Sequence, residues 1–109
     1  MGKFELKGAA NNKFMFNLKA GNGQVILTSE LYNSKDSCLN GIESVKSCSS
    51  EDGSFDRRES KNGDPYFVLK AKNGQIIGKS EMYSSSSAME NGIRSCMENG
   101  PTSPTDDIS

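Results

Sequence analysis

The stretch Leu18–Ile26, Leu-Lys-Ala-Gly-Asn-Gly-Gln-Val-Ile, returns at Leu69–Ile77 as Leu-Lys-Ala-Lys-Asn-Gly-Gln-Ile-Ile. Outward from this stretch, segments 4–46 and 55–97 align with a shift of 51 residues, and 18 of the 43 aligned positions are identical. Ser-Glu-x-Tyr-x-Ser follows the stretch in both copies, and Asn-Gly-Ile-x-Ser closes each copy. A unit of roughly 50 residues can bury little of its own surface and would be only marginally stable alone. We therefore expect the two copies to share one core.

Each repeat has the pattern of three strands followed by one helix. In the first copy, apolar residues alternate over 3–7, 13–20 and 24–29, as they do in strands with one buried face. Apolar residues then recur at helical spacing over 35–48, and over 86–98 in the second copy. We predict an α+β fold in which two tandem β-β-β-α repeats form one mainly antiparallel sheet of about six strands. Both helices should cover one face, and a pseudo-twofold axis should relate the halves.

The turn after the second strand decides which residues face the helices. A three-residue loop at 21–23, with Gly23 in the left-handed region, places Leu18 opposite Ile26 and collects the repeated apolar residues on one face. We predict this register, and the same geometry in the second copy. It leaves Leu27 on the face away from the helices.

The repeat also predicts the domain organisation. We expect a single domain over 1–100, with repeat one at 3–48 and repeat two at 54–100. The segment 101–109 contains two prolines and little apolar content, so we predict a flexible C-terminal tail. Because the second copy can supply the surface that another subunit would supply to a single repeat, we expect a monomer.

Composition argues against several functional classes. The chain has 13 basic and 14 acidic residues, so it lacks the basic excess of a nucleic-acid binder. Histidine, the commonest metal ligand and general base, is absent, and we predict no metal and no cofactor. The three cysteines have neither zinc nor redox spacing, and we expect only Cys48 to be exposed. We expect no leader, and no apolar run approaches ~20 residues, so we predict a cytoplasmic protein that does not enter a membrane.

The repeated motifs resemble a known family. The run Leu-Lys-Ala-x-Asn-Gly-Gln-x-Ile-x-x-x-Ser-Glu-x-Tyr, followed by Asn-Gly-Ile-x-Ser, is similar to the YegP-like family of small bacterial domains of unknown function. The resemblance covers 3–100 and recurs in both copies. It implies two β-β-β-α units joined in a single sheet, in the tandem form of a family that also occurs as single-repeat dimers. It implies no catalytic residue and no ligand. The second copy departs from the first at Arg57, which stands where the first has Leu6.

Six polar or part-polar residues retained in both copies are expected to be structural. The glutamates precede the helix starts, where a carboxylate can accept backbone N–H bonds. The tyrosines should pack their rings beneath the strand-to-helix corners, with the hydroxyl bonded nearby. The asparagines are expected to cap a loop or to cross the pseudo-axis. The six residues are Glu30, Tyr32, Asn40, Glu81, Tyr83 and Asn91.

The sheet face away from the helices is the leading functional candidate. We hypothesise a small non-catalytic binding or adapter module that holds a protein partner on this open face, since exposed apolar patches mark interaction sites. One alternative is a small-molecule-binding protein or enzyme with its site at the Glu30/Tyr32 and Glu81/Tyr83 corners. Another is a weak single-stranded nucleic-acid binder. The predicted open-face residues are Met15, Asn17, Lys19, Val25, Leu27, Tyr66, Val68, Lys70 and Ile76.

Overall fold

The structure is a computed structural model that describes residues 2–109. Its elements, in chain order, are β1 (Lys3–Ala9), β2 (Lys13–Lys19), β3 (Val25–Ser29), α1 (Lys35–Cys48), β4 (Phe55–Glu59), β5 (Pro65–Lys70), β6 (Ile76–Lys79), α2 (Ser86–Asn99) and β7 (Thr105–Asp107). The predicted bounds of the helices and of the first three strands agree with these to within two residues. No helix in the described chain is long and apolar enough to span a bilayer.

One sheet holds all seven strands, in the order β4-β5-β6-β3-β2-β1-β7. Neighbouring strands are antiparallel except β1 and β7, which are parallel. The first six strands form a symmetric arrangement, three from each repeat, with β3 and β6 in the middle. The predicted α+β fold of two tandem repeats is thus confirmed, and the sheet gains one strand beyond the six expected.

The strand register locates the pseudo-twofold axis. Thr28 of β3 lies opposite Lys79 of β6, and these two positions are equivalent under the 51-residue shift. In the helix layer, Ser49 and Gly100 are also equivalent, and each lies directly after the end of its helix. They meet so closely that a Cβ atom on Gly100 would collide with Ser49 Oγ. The axis therefore passes through the β3–β6 pair and between the ends of α1 and α2.

The core lies between the helices and one face of the sheet, and it is built from equivalent residues of both repeats. Its edge-to-face ring pairs repeat: Phe4–Phe16 have centroids 5.9 Å apart, and Phe55–Phe67 have centroids 5.5 Å apart. The helices contribute the residues predicted from their spacing. These are Cys38, Ile42 and Val45 from α1 and Met89, Ile93 and Cys96 from α2, all buried.

The three-residue loops predicted between the second and third strands are confirmed in both repeats. The Ala20 N–H donates to the Gln24 carbonyl at 2.9 Å, which leaves 21–23 as the loop. Gly23 and Gly74 have φ angles of 85° and 86°, in the left-handed region that favours glycine.

The predicted register beyond this loop is wrong by one residue. Leu18 lies opposite Leu27 and not opposite Ile26, because a bulge interrupts the β2–β3 ladder. A regular strand turns consecutive side chains to opposite faces, whereas the bulge allows both residues to enter the core. Ile26 is 5% exposed and Leu27 is fully buried, so Leu27 does not belong to the open face. The second repeat has its bulge at the equivalent place.

The segment predicted to be a flexible tail contains a strand. The Phe4 N–H donates to the Pro104 carbonyl at 2.8 Å, and the Ile108 N–H donates to the Leu6 carbonyl at 2.9 Å. Strand β7 thereby covers backbone groups that the outer edge of β1 would otherwise present unpaired. Composition gave no sign of this pairing, since a backbone ladder needs no apolar side chains.

Arg57 takes a different role from its equivalent, Leu6. Leu6 is fully buried on β1, which lies between two other strands. Arg57 lies on β4 at the opposite end of the sheet, where it reaches solvent. Its guanidinium binds the Glu90 carboxylate through two bonds of 2.6 and 2.9 Å and Asp52 through one of 2.8 Å. A bidentate ion pair therefore ties β4 to α2.

All three cysteines are buried, including Cys48, which was expected to be exposed. Cys48 is 1% exposed because it ends α1 at the axis, where the two helix ends pack together. Burial raises the pKa of all three thiols, to about 11 for Cys38 and about 12 for Cys96. The thiols are thus protonated near neutral pH and poorly nucleophilic.

Replacement of Gly100 by alanine tests the close contact at the axis. The new Cβ would collide with Ser49 Oγ and lie 2.8 Å from the carbonyl oxygen of Cys96. We expect G100A to lower the free energy of unfolding by about 1–3 kcal/mol in urea titrations, as overpacking does. Gly53→Ala is the matched control, since a Cβ there meets no heavy atom within 4 Å. Equal stability of the two variants would contradict the close contact.

Candidate binding clefts between the repeats

Two clefts open between the repeats at positions that the pseudo-twofold axis relates. Each is walled by the helix and strand-to-helix corner of one repeat and by the hairpin between the second and third strands of the other. The α2 cleft, beside Glu81, has a volume of about 610 Å³. The α1 cleft, beside Glu30, has a volume of about 240 Å³. Only the larger cleft lies within the size range typical of small-molecule sites.

Half of the positions that are identical in the two repeats line these clefts. In the α2 cleft these residues are Ala20, Asn22, Gln24, Ile26, Glu81, Tyr83, Asn91, Gly92 and Ser95. In the α1 cleft their equivalents are Ala71, Asn73, Gln75, Ile77, Glu30, Tyr32, Asn40, Gly41 and Ser44. The two copies have thus retained the surfaces that meet at the repeat interface as well as their core.

A retained serine builds the corner that presents each glutamate. Ser29 Oγ accepts a hydrogen bond from the Phe16 N–H at 2.9 Å and donates one to the Glu30 carbonyl at 2.8 Å. Ser80 makes the same two bonds in the second repeat, at 3.0 and 2.8 Å. The hydroxyl replaces the backbone ladder where the strand ends, and this fixes the backbone from which the glutamate projects.

The glutamate side chains have no structural partner. The N-cap role is filled by Ser34 and Ser85, whose hydroxyl oxygens accept first-turn N–H bonds at 3.1 Å. Glu30 and Glu81 are exposed, and within residues 2–109 their carboxylates make no hydrogen bond or ion pair. The expected capping by glutamate therefore does not account for their presence in both repeats.

The tyrosines pack as expected, while their hydroxyls remain free. The Tyr32 ring stacks on Phe16 and the Tyr83 ring on Phe67, each with centroids 6.3 Å apart. In the described chain neither hydroxyl has a hydrogen-bond partner. Burial is the main cause that raises the pKa of both tyrosines, and the nearby carboxylate of the same corner adds to it. Each hydroxyl is therefore a protonated donor at neutral pH.

The two mid-helix glycines make room for these rings. A Cβ atom on Gly41 would overlap the Tyr32 hydroxyl and lie 2.7 Å from its Cζ, and one on Gly92 would lie 2.6 Å from Cζ of Tyr83. Glycine in a helix costs about 1 kcal/mol relative to alanine. The close approach of helix and tyrosine explains why both copies tolerate that cost.

The asparagines and the hairpins complete the clefts. Asn40 and Asn91 are exposed on their helices, and Asn91 Oδ1 accepts a hydrogen bond from Arg94 Nη1 at 2.8 Å. The structure places Asn91 in the same cleft as Asn22 and Gln24 of the other repeat. Sequence reasoning grouped the corner residues but missed these hairpin residues, since their partner surface lies about half a chain away. Their signal was the repeat of Asn-Gly-Gln. The turn itself accounts for the glycine and for Asn22, whose Oδ1 accepts a hydrogen bond from the Gln24 N–H at 3.0 Å, but it does not account for the glutamine side chain.

The predicted open face exists, but polar pairs cover much of it. One row crosses the sheet through Asp56, Val68, Lys79, Thr28, Asn17 and Glu5. Lys19 Nζ lies 2.9 Å from Glu5 and Lys70 Nζ lies 3.6 Å from Asp56. Hydrogen bonds from Lys19 and then Lys3 hold the pKa of Glu5 below its usual value.

The apolar members of this face are dispersed. Val68 is only 3% exposed, and Met15 and Tyr66 are half-buried. Val25 and Ile76, at the hairpins, line the α2 and α1 clefts respectively. No contiguous apolar patch is therefore evident among these residues.

The groups gathered in each cleft are suited to binding. The α2 cleft offers one carboxylate, one phenol, carboxamides and a serine hydroxyl beside an apolar wall. Within residues 2–109, no group of three or more His, Cys, Asp and Glu side chains is placed to hold a metal ion. Fold and site define a tandem-repeat α+β domain with two clefts at the repeat interface.

The sequence comparisons agree with the tandem-repeat architecture. The profile of the family described as domain of unknown function DUF1508 matches residues 9–56 and 60–107, once in each half. The chain belongs to this family. It is 54% identical to a UPF0339 protein of Mannheimia succiniciproducens, over 99% of this chain and 96% of that protein. It is 49% identical to the UPF0339 protein YegP of Yersinia pestis, with the same coverage.

Solved structures show the same fold. The solution NMR structure of a UPF0339 protein from Shewanella oneidensis has a TM-score of 0.93 and 53% identity, covering 98% of this chain and 91% of that one. The solution NMR structure of YegP from E. coli, a protein of unknown function, has a TM-score of 0.93 and 48% identity, covering 98% and 92%. The fold expected from the YegP-like resemblance is confirmed.

A double-mutant cycle tests the contact between Gly41 and Tyr32. Gly41→Ala gains helix propensity but displaces the tyrosine ring, and we expect a net loss of about 1–3 kcal/mol in the free energy of unfolding. In the Tyr32→Ala background the ring is absent, so the same change should stabilise the protein by up to about 1 kcal/mol. Urea titrations of the four proteins measure the coupling. Additive effects would contradict the contact.

Proposed function

We propose that this protein is a non-catalytic binding protein and that its two inter-repeat clefts are the ligand sites. The observation that carries this proposal is that both repeats retain exposed polar side chains that make no internal bonds. A side chain kept for folding usually packs in the core, caps a helix or pairs with a neighbour. The side chains of Glu81 and Gln24, and the hydroxyl of Tyr83, do none of these, yet all three line one cleft. Convergent polar groups in a concave site are typical of a binding site.

The chemistry of the lining supports binding over catalysis. The ionisable side chains of the α2 cleft are Glu81 and Tyr83, and the rest of its polar lining is neutral. The thiols of Cys38, Cys48 and Cys96 are buried and poorly nucleophilic, and they do not line either cleft.

The α2 cleft is the main site in this proposal. Three of its lining positions differ from the α1 cleft. Val25 replaces Ile76 and Ala88 replaces Ser37, and each change removes one heavy atom from the wall. The third difference is Met82, which is 47% exposed and adds an apolar surface at the mouth.

A protein partner on the open face is the alternative proposal. Ile76 supports it, since this predicted open-face residue is 36% exposed, although it also lines the α1 cleft. The ion pairs of Lys19 with Glu5 and of Lys70 with Asp56 reduce the apolar character of the surface. The clefts are favoured because nine of their lining positions are identical in both repeats, whereas the open face differs at positions such as Met15 and Tyr66.

Protein-observed NMR with a library of water-soluble metabolites tests the cleft proposal. We expect at least one compound to shift the backbone amide signals of Gln24, Glu81 and Tyr83 in a saturable manner. The combined substitution Val25→Ile with Ala88→Ser gives the α2 cleft the side chains of the α1 cleft at these positions. It should weaken that compound about tenfold or more, because the added groups overpack the site.

The reciprocal variant is the matched control. Ile76→Val with Ser37→Ala should enlarge the α1 cleft and leave binding in the α2 cleft unchanged. Shifts confined to Met15, Tyr66 and Lys70 would instead support the open-face alternative and contradict the cleft proposal.

We further propose that the protein is a cytoplasmic monomer. The β3–β6 pair already joins two repeats within one chain, and β7 covers the outer edge of β1. Light scattering at micromolar concentration should therefore give the mass of one chain. A stable dimer under these conditions would contradict the monomer.

A further inference from the structure

The charge of the α2 cleft points to the kind of ligand it takes, if the proposed function is correct. Glu81 is its one acidic lining residue, and its lining contains no lysine or arginine. Lys72, at the turn of the other hairpin, is not among the lining residues of the α1 cleft, so the two linings carry the same charge and differ in volume. Within residues 2–109 the Glu81 carboxylate makes no ion pair, so its charge faces the cleft without an internal counter-ion.

The neutral lining adds acceptors around this carboxylate. The Gln24 carboxamide and the Tyr83 and Ser95 hydroxyls line the cleft, and each can accept a hydrogen bond. Val25 and Met82 supply an apolar wall near the mouth. A carboxylate with neutral acceptors and an adjacent apolar wall complements a charged donor group on an aliphatic stem.

We infer that the α2 cleft binds an organic cation, a primary ammonium or guanidinium group on a short aliphatic stem, with Glu81 as its counter-ion. Two sources carry this chemistry: a free amine and the lysine or arginine side chain of a peptide. A guanidinium would bond the carboxylate through two parallel N–H donors, while the stem packs on the apolar wall.

Arg94 provides a test of the charge of the ligand. It lies on α2 outside the lining, where its guanidinium donates to Asn91 Oδ1 at 2.8 Å. It thus places positive charge at the rim of the cleft, and it occupies one of the hydrogen-bond acceptors of the cleft, Asn91 Oδ1. Removing this charge should favour a cationic ligand and disfavour an anionic one.

The experiment is an NMR titration of the full chain with four named probes. These are agmatine, capped Ala-Arg-Ala, capped Ala-Gln-Ala and capped Ala-Glu-Ala. We expect the two cationic probes to shift the amides of Gln24, Glu81 and Tyr83, and the other two to bind at least tenfold more weakly. Tighter binding of the peptide than of agmatine identifies a side chain as the source, and the reverse order identifies a free amine.

Two variants then have opposite expected effects. Glu81→Gln should weaken the cationic probes about tenfold or more, as loss of a charge-assisted bond does. Arg94→Gln should strengthen them about two- to threefold, the scale of an exposed charge interaction. Both residues are exposed, and an otherwise unchanged amide spectrum shows that each variant is folded.

The outcomes separate this inference from the proposed function. Cleft shifts by the neutral or acidic peptide in preference to the cationic probes would overturn the cation and leave the cleft as a binding site. Effects of the two variants with reversed signs would do the same. If none of the four probes shifted cleft amides, the inferred cationic ligand would also be overturned. The proposed binding function would still be decided by the screen of the metabolite library.

Discussion

The backbone pairing of β3 with β6 holds the two repeats in one sheet, and both clefts depend on it. Thr28 lies opposite Lys79 at the axis, and the neighbouring Gly78 allows close approach, since a Cβ there would lie 2.6 Å from the Thr28 carbonyl oxygen. The pairing continues into the corner, where the Glu30 N–H donates to the Ile77 carbonyl at 3.0 Å. The corner of one repeat is thereby bonded to the hairpin of the other.

The joining of the two repeats through β3 and β6 explains why both core residues and hairpin residues are retained. Phe16 and its equivalent are retained because each packs in the shared core and supports a tyrosine ring at the corner. The Asn-Gly-Gln segments are retained in hairpins that reach the helix of the other repeat. A single repeat contains the corner, the helix and the hairpin from which a cleft is built. It supplies only one of the two walls of any one cleft, because its hairpin lines the other cleft. Core and clefts therefore form together when the repeats join.

The sequence was sufficient for the repeats, the helices and the three-residue loops because these depend on contacts within a few residues. It was insufficient where distant segments meet. A bulge lets the consecutive residues Ile26 and Leu27 both enter the core, and this bulge is favourable only because the core can bury both side chains. Cys48 is buried by the end of the other helix, and β7 is held by backbone bonds to β1. The cleft walls were predicted separately, as a corner and as a turn, but their meeting follows only from the strand order.

In a duplicated chain the two copies can carry different residues at equivalent positions, which a symmetric dimer of identical repeats cannot do. At the axis, Leu27 fills the core while its equivalent is Gly78, because the Thr28 carbonyl leaves no room for a second side chain. The two clefts also carry different residues at some equivalent positions. Val25 and Ala88 line the α2 cleft where Ile76 and Ser37 line the α1 cleft, so walls built largely from the same retained residues enclose different volumes. The retained residues therefore define a shared type of cleft, and the residues that differ between the copies set the size of each one.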